Sequence, residues 1–209
     1  MKILTLKKDK RHLVKVIFLD GSEILLDQDV CLEFSLASEM EIDEEDIKRL
    51  KFESDYVRAK SRALWYLDRS DYTEKAIFEK LIKAGFQKEA SAKAIARLIE
   101  IGAVDDRRFA ERYFEHLTEK NLSKREIVSK MLLKGVDLSL AKEIAAENEE
   151  DNEQSKISAL LEGKYAYKLT LEGGKEKVFA ALIRKGFSFS QVKSAMSKYF
   201  EDIEFSEEY

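Results

Sequence analysis

A short segment that ends in glycine recurs three times in the 209-residue chain, at 79–86, 129–136 and 180–187. Its glycines are spaced 50 and 51 residues apart, and repetition at a fixed period is typical of stacked supersecondary units. In each copy apolar residues precede the glycine and one follows it, which predicts a helix that ends with glycine in the left-handed conformation. Glycine is common at helix ends, so chance is the alternative, but the near-constant spacing favours three related helical repeats.

Composition favours a helical array. The chain has no proline, which would break helix interiors, and 37% of its residues are charged, as suits solvated helix faces. No apolar run reaches the roughly 20 residues of a membrane helix, and no signal peptide opens the chain, so we expect no membrane partner. The single cysteine, Cys31, is expected to be a core residue and predicts a reducing, cytoplasmic location.

Three segments near the N terminus favour β structure: 1–8, 13–19 and 23–26. Asp20-Gly21 joins the last two, and this dipeptide predicts a type I′ hairpin turn in which both residues have positive φ. Because so small a sheet is marginal alone, its apolar face needs cover. We expect that cover from residues 30–38, with Asp29 as the N-cap of a helix.

A long helix is predicted next, because acidic residues open it at 43–46 and apolar residues then recur at helical spacing as far as Asp68. The predicted fold class is mainly α: three tandem three-helix repeats of helix-turn-helix type, preceded by a small β meander. The predicted domains are 1–54 (β module and start of the linking helix), 55–104 (repeat 1), 105–150 (repeat 2) and 151–209 (repeat 3 with an acidic tail).

Polar residues before the apolar helices predict N-caps or capping boxes at four places: Asp71 with Glu74, Ser123 with Glu126, Asp137, and Ser188 with Gln191. Helical spacing also predicts inward-facing residues. In the third helix of repeat 1 these are Ala92, Ile95, Ala96, Leu98 and Ile99. In repeat 2 they are Phe109, Tyr113, Phe114 and Leu117 on the first helix and Ile127, Val128, Met131 and Leu132 on the second. In repeat 3 they include Val192, Ala195, Met196 and Tyr199.

The charge is unevenly spread over a chain whose net charge is −4. Residues 55–142 carry +5, whereas the segments before and after carry −4 and −5. This asymmetry bears on binding partners, although solvated helix faces are the plain alternative. The candidate residues for contact with a partner or nucleic acid are Arg69, Arg107, Arg108, Arg112, Lys120, Lys124, Arg125 and Lys130.

Enzymatic constellations are not apparent in the sequence. The two histidines, His12 and His116, lie in unrelated contexts, which argues against a histidine metal site or a catalytic triad. Gly173-Gly174 lacks the Lys-Ser/Thr of a phosphate-binding loop. Asp105-Asp106 precedes an apolar helix, so capping explains it better than catalysis. We therefore expect no enzyme activity, cofactor or metal.

DNA binding is the other function class that the repeats suggest, because two helices joined by a glycine turn have helix-turn-helix geometry. The pairs are 74–84 with 88–101 and 124–134 with 138–147. The exposed face of the second helix offers Lys88, Lys93 and Arg97 in repeat 1 but only Lys142 in repeat 2. Such a face permits phosphate contact but is too poor for base reading.

The chain resembles the RecX family of regulators of the RecA recombinase over about residues 58–200. The opening of repeat 1 matches at Ala63, Leu64, Tyr66 and Leu67, followed by Lys80, Leu81, Gly85 and Gly102. The most specific match is Asp105, Asp106, Arg108, Phe109 and Ala110, and repeat 2 adds Ile127, Lys134 and Gly135. Two departures are Ala103-Val104, where the family often has two leucines, and Asn121 after Lys120, where it often has glycine.

The resemblance implies a non-enzymatic modulator. Family members have three tandem three-helix repeats in a curved, elongated body, bind the RecA–single-stranded-DNA filament in or near its groove, and usually inhibit its ATPase, strand-exchange and coprotease activities in recombination, DNA repair and the SOS response. We expect this chain to act in the same way, and to do so as a monomer. A stand-alone DNA-binding module of winged-helix type and a general helical scaffold remain as alternatives.

Overall fold

Helices dominate the structure, a computed structural model that describes residues 1–10, 12–148 and 153–197, and a small sheet lies at the N terminus. This confirms the predicted fold class. The elements are β1 (Ile3–Lys8), β2 (Leu13–Phe18), β3 (Glu23–Asp27), α1 (Gln28–Glu33), α2 (Glu44–Leu67), α3 (Glu74–Lys83), α4 (Lys88–Glu100), α5 (Asp106–Thr118), α6 (Lys124–Leu133), α7 (Leu138–Glu147), α8 (Glu153–Glu162), α9 (Ala166–Leu169), α10 (Gly174–Arg184) and α11 (Phe189–Met196). Two compact units, Met1–Asp106 and Arg107–Tyr209, divide them.

The repeated glycines end α3, α6 and α10 in the left-handed conformation, as predicted. Their φ angles are 90° at Gly85, 92° at Gly135 and 92° at Gly186. After α6, the amide of Gly135 donates to the carbonyl of Leu132 at 2.9 Å, and that of Val136 donates to Met131 at 3.1 Å. The same pair of bonds closes α3 and α10. This is the Schellman arrangement, which satisfies helix-end carbonyls that would otherwise lack donors.

The N-terminal sheet is an antiparallel meander in the order β1-β2-β3, which confirms the predicted strands. Alternate residues of β2, namely Val14, Val16 and Phe18, are buried, so one face of the sheet is apolar. Val30 of α1 and Leu50 of α2 are buried in the same cluster. Helices therefore cover the sheet, as its small size requires.

Two local predictions in this module are wrong. Gly21 has φ 83°, but Asp20 is not among the described residues with positive φ, so the turn is not type I′. Instead the Gly21 amide donates to the carbonyl of Phe18 at 3.0 Å, and Asp20 accepts the amide of Ser22 at 2.9 Å, as in a three-residue loop whose last residue is left-handed glycine.

The second wrong prediction concerns the cap of α1. Asp27, not Asp29, is its N-cap, because the helix begins directly after β3 and the Asp27 side chain accepts the amide of Asp29 at 3.0 Å. The backbone amide of Asp27 also donates to the hydroxyl of Ser54 on α2 at 2.8 Å. This buried aspartate therefore joins the sheet, α1 and α2.

The long helix α2 runs for 24 residues without interruption from its N-cap Asp43, as predicted. Its first half contributes Leu50 to the sheet cluster, and its second half contributes Ala59 and Ala63 to a cluster with α3 and α4. One continuous helix thus serves both the β module and the first three-helix bundle.

The inward stripe of α4 is shifted from the predicted one. Ile95 and Leu98 are buried as predicted, but Ala90 and Ala94 complete the buried stripe, whereas Ala92, Ala96 and Ile99 are exposed. Small residues on both helices let α4 approach α2 closely, at Ala59 and Ala63 of α2. The cap of α3 is also corrected: Thr73, not Asp71, accepts the amide of Ala76.

The second unit contains two clusters, one of α5–α7 and one of α8–α11. In α5 the fully buried residues are Ala110, Phe114 and Leu117, whereas Phe109 and Tyr113 are half-buried and stack with ring centroids 5.7 Å apart. Phe109 therefore packs against the cluster, as predicted, but is only partly buried. In α6 the buried residues are Ile127 and Met131; Val128 is half-buried and Leu132 is exposed.

The predicted caps of this unit lie where expected. Ser123 accepts the amide of Glu126, Asp137 accepts that of Ser139, and Ser188 with Gln191 forms a complete capping box. The short helix α9 was not predicted. Of the predicted core of the last helix, Val192 and Met196 are buried and Ala195 is half-buried, while Tyr199 and the acidic tail lie outside the described residues.

We expect Gly135→Val to lower the free energy of unfolding of the second unit by about 1–3 kcal/mol, because a β-branched residue is strained at positive φ. Asn tolerates this region better, so Gly135→Asn is the matched control and should lose less. Urea unfolding followed by circular dichroism measures both. A Val variant as stable as the wild type would contradict the assigned cap.

Candidate functional site

Arg107, at the start of α5, is bound by three carboxylates. Its guanidinium donates to Glu111 at 3.0 Å, to Glu143 at 2.7 Å and to Glu147 at 2.9 Å. The hydrogen bonds to Glu143 and Glu147 raise the pKa of Arg107 further above its ordinary value. Because Glu143 and Glu147 belong to α7, this candidate contact residue ties α5 to α7, and its donors are turned toward the protein.

The other candidates in this region lie at the surface. Arg108 and Arg112 are exposed and lie one helical turn apart, so they share a face, and each also takes part in a further interaction within the protein. Lys120 is exposed in the turn after α5, next to Asn121, which has φ 52°. The left-handed Asn121 stands at the position where the related family often has glycine.

The three candidates on α6 lie around the helix and not in one stripe. Arg125 is exposed on the side away from the core, and Lys124 and Lys130 are half-buried at the flanks. Arg125 and Lys130 are about 140° apart at the helical angle of roughly 100° per residue. Lys130 lies 3.8 Å from Glu126, a surface pair that contributes little to stability.

Contacts within the second unit fix the N terminus of α6. The hydroxyl of Ser123 donates to the carbonyl of Lys185 at 2.5 Å, and the Lys185 ammonium lies 3.5 Å from Glu126. The amide of Lys124 donates to Glu153 at 2.7 Å. The side chain of Arg125 lies so near Gly186 that an added β-carbon there would be 3.0 Å from it. Arg125 is thus presented from a rigid base.

Arg69 belongs to the first unit and contacts Trp65. Its guanidinium carbon lies 3.6 Å from the centroid of the indole, and one of its nitrogens donates to the carbonyl of Trp65 at 2.7 Å. Arg62 approaches the same ring at 5.3 Å. Arg69 was predicted from the sequence as a contact residue, whereas Trp65 and Arg62 were not. Arg62 lies three residues before Trp65 on α2 and Arg69 four residues after it, just beyond the helix end, and this spacing was the available signal.

The Asp105-Asp106 pair has a structural use. The carboxylate of Asp106 accepts the amide of Glu74, the first residue of α3, at 2.7 Å. Burial raises the pKa of Asp106, and the Glu74 amide acts in the opposite direction. Asp106 therefore satisfies the start of α3, 32 residues earlier in the chain. Both aspartates line a shallow pocket of about 360 Å³ with Glu74, Ile99, Gly102 and Val104.

Among the described residues, His12, Asp27 and Asp29 form a cluster of metal-binding residue types that was not predicted from the sequence. His12 Nε2 lies 3.0 Å from Asp29 Oδ1, and a carboxylate oxygen of Asp27 completes a group whose ligand atoms lie within 4.8 Å of one another. The His12–Asp29 hydrogen bond and the capping bond of Asp27 account for the positions of these side chains.

None of the helices in the described part of the chain has both the length and the hydrophobicity needed to cross a bilayer.

Comparison with known proteins supports one family. Residues 59–98 match the model of the RecX first three-helix domain. The regulatory protein RecX of Clostridium tetani is 26% identical over 201 residues, covering 94% of this chain and 92% of that protein. Over most of its length the chain is therefore similar to RecX regulatory proteins. The RecX protein of Streptococcus sanguinis is 27% identical, covering 93% of this chain and 76% of that protein. The RecX protein of Lactococcus lactis subsp. cremoris is 28% identical, covering 90% of this chain and 73% of that protein.

Solved RecX structures share the fold. A crystal structure of regulatory protein RecX superposes with a TM-score of 0.70 at 23% identity, covering 94% of this chain and 98% of that one. RecX from Lactobacillus salivarius gives a TM-score of 0.63 at 21% identity, with 71% of this chain and 98% of that chain covered. The relatives are named regulatory proteins, and this is the functional class that the comparisons give.

We expect Arg107→Gln to lower the unfolding temperature of the second unit, because it leaves Glu143 and Glu147 without their cation. The loss should be larger at low salt than at about 1 M salt, where the screening length is about 3 Å. Lys120→Gln, which removes an exposed cation in the following turn, is the control and should leave the unfolding temperature unchanged. Equal unfolding temperatures for all three proteins would show that the Arg107 ion pairs have no structural role.

Proposed function

We propose that this protein binds the filament that RecA forms on single-stranded DNA and modulates RecA, mainly by inhibiting its ATPase, strand-exchange and coprotease activities. The observation that carries the proposal is the similarity to RecX regulatory proteins over more than nine-tenths of the chain. The protein acts by binding, with no catalytic step of its own. We further propose that repeats 55–104, 105–150 and 151–209 are the units that make the contacts.

The chemistry of the surface suits such a partner. A nucleoprotein filament presents phosphates together with acidic protein side chains, and the segment 55–142 of this acidic protein carries a net charge of +5. Arg125 and Lys120 are exposed, and Lys124 and Lys130 flank Arg125 on α6. Leu133, at the end of α6, is 87% exposed and offers apolar area for a protein surface.

A stand-alone DNA-reading role has less support. The helix that would enter the major groove in repeat 1 is α4, but Lys93 donates to both carboxylate oxygens of Glu53, at 2.8 and 2.9 Å. Arg97 on the same helix lies 2.9 Å from Glu100. These cations are already paired, and base reading requires free donors on such a face.

The contact surface on α6 is tested by the triple variant Lys124→Glu, Arg125→Glu, Lys130→Glu. We expect it to bind RecA-coated single strands more weakly than the wild type, with a loss that shrinks as salt rises. If each cation meets one phosphate, the slope of log affinity against log salt falls by about 2, at about 0.7 per single-strand phosphate. A salt series of filament binding measures this, with circular dichroism to confirm folding.

A charge-matched control separates position from net charge. Lys164→Glu, Lys168→Glu, Lys177→Glu makes the same change at exposed positions elsewhere in the second unit and should bind like the wild type. Parallel curves of equal affinity for the α6 variant and the wild type would mean that α6 is only solvated. Equal binding of the wild type to bare and RecA-coated strands would favour the stand-alone DNA-binding alternative.

A further inference from the structure

A row of aromatic rings with basic neighbours lies where α2 ends and α3 begins. The rings are Trp65, Tyr66 and Tyr72, with centroids 5.3 Å apart for the first pair and 6.4 Å for the second, both edge to face. We call this row, with Arg62, Arg69 and Lys80, the Trp65 platform. All of it lies within the first unit.

The indole of Trp65 is its most exposed ring, at 45%. The guanidinium carbon of Arg69 lies 3.6 Å from the ring centroid and that of Arg62 lies at 5.3 Å. Two positively charged groups therefore neighbour the indole. An indole gains most by burial, and this large aromatic side chain remains half in water. Folding of the three-helix core alone does not explain a tryptophan at this position.

The adjoining tyrosine rings also have a cation near them. The ammonium of Lys80 lies 4.9 Å from the centroid of Tyr66 and 4.7 Å from that of Tyr72. Both tyrosines are half-buried and pack on the core cluster of the first bundle, which fixes their positions. The platform therefore combines aromatic faces on a rigid base with cations held by those same faces.

The segment that carries the Trp65 platform has no net charge, so simple attraction of an anionic partner does not explain this cluster. Asp68 lies 3.7 Å from Arg69, and the segment 62–80 also contains Asp71, Glu74 and Glu79, which balance its four cations. An acidic peptide would meet these carboxylates and gain little from the rings. A partner with planar faces and separate anionic groups fits better, because its planes can stack on aromatic and guanidinium faces while its anions reach the cations.

We propose that the Trp65 platform binds single-stranded nucleic acid, with a base stacked at Trp65 and the neighbouring phosphates contacted by Arg62 and Arg69. Paired bases in a duplex do not expose these faces, so the site selects single strands. The inference goes beyond the proposed function, since it concerns a direct contact with the strand and requires no RecA.

The chain contains one tryptophan, so its fluorescence reports this site alone. Titration of the full-length protein with an unlabelled thymidine oligonucleotide of about 16 nucleotides, the upper site size of one single-strand-binding fold, should quench Trp65 fluorescence. A duplex of the same length should not. Trp65→Ala should weaken binding of a labelled strand by about 10- to 100-fold in an anisotropy assay, the usual effect of removing one stacked base.

Two further variants complete the test. Trp65→Phe keeps a flat ring and should retain most of the affinity, and Tyr167→Ala removes a ring that is 75% exposed in the second unit and should bind like the wild type. Thermal unfolding checks that each variant folds. Wild-type affinity in Trp65→Ala, or quenching by poly-glutamate as strong as by the strand, would overturn the proposal.

The result of the Trp65 test can be distinguished from the result of the filament-binding test. The α6 triple variant should keep the quenching by free oligonucleotide, because none of its substitutions lies in the first unit. If free oligonucleotide quenches Trp65 fluorescence but the protein has no effect on RecA filaments, only the filament proposal is rejected. Filament regulation without quenching would reject the Trp65 proposal alone.

Discussion

The left-handed glycine after α3, α6 and α10 is the constraint on which the helical repeats depend. At Gly85, Gly135 and Gly186 the backbone reverses while its amides close the helix-end carbonyls. The apolar residue that follows is then directed back to the bundle, where Val136 and Phe187 are each 3% exposed. A residue with a β-carbon is strained in this conformation, so the position selects glycine and the repeat is visible in the sequence.

The helices that end at these glycines are short and bury one stripe each, and their other faces are open to solvent. The structure divides the cations into two groups. Arg107 and Lys93 are held by carboxylates and stabilise contacts between helices. Arg125 and Lys120 point to solvent, and Arg62 and Arg69 stack on an exposed indole. We propose that the second group, together with Lys124 and Lys130 beside Arg125 on α6, contacts a partner.

Local chemistry made much of the fold predictable, and long-range packing decided the rest. The strands, the helix pairs, the glycine ends and the caps at Ser123, Asp137 and Ser188 follow from side chains within four residues of one another. The inward face of α4 depends on its close approach to α2, and Asp106 caps a helix that begins 32 residues earlier. Neither the inward face of α4 nor the cap by Asp106 can be read from the spacing of residues in the sequence. Basic candidates on α5 and α6 were predicted from the sequence, whereas Arg62 and Trp65 were not. Which cations already have carboxylate partners could be learned only from the folded structure.

Regulation of RecA through binding to its filament can be measured as a change in ATP hydrolysis. RecA is assembled on single-stranded DNA, and hydrolysis is followed as increasing amounts of this protein are added. We expect the rate to fall as the protein saturates the filament. An unchanged rate at concentrations where filament binding is complete would contradict it and leave a helical scaffold without action on RecA.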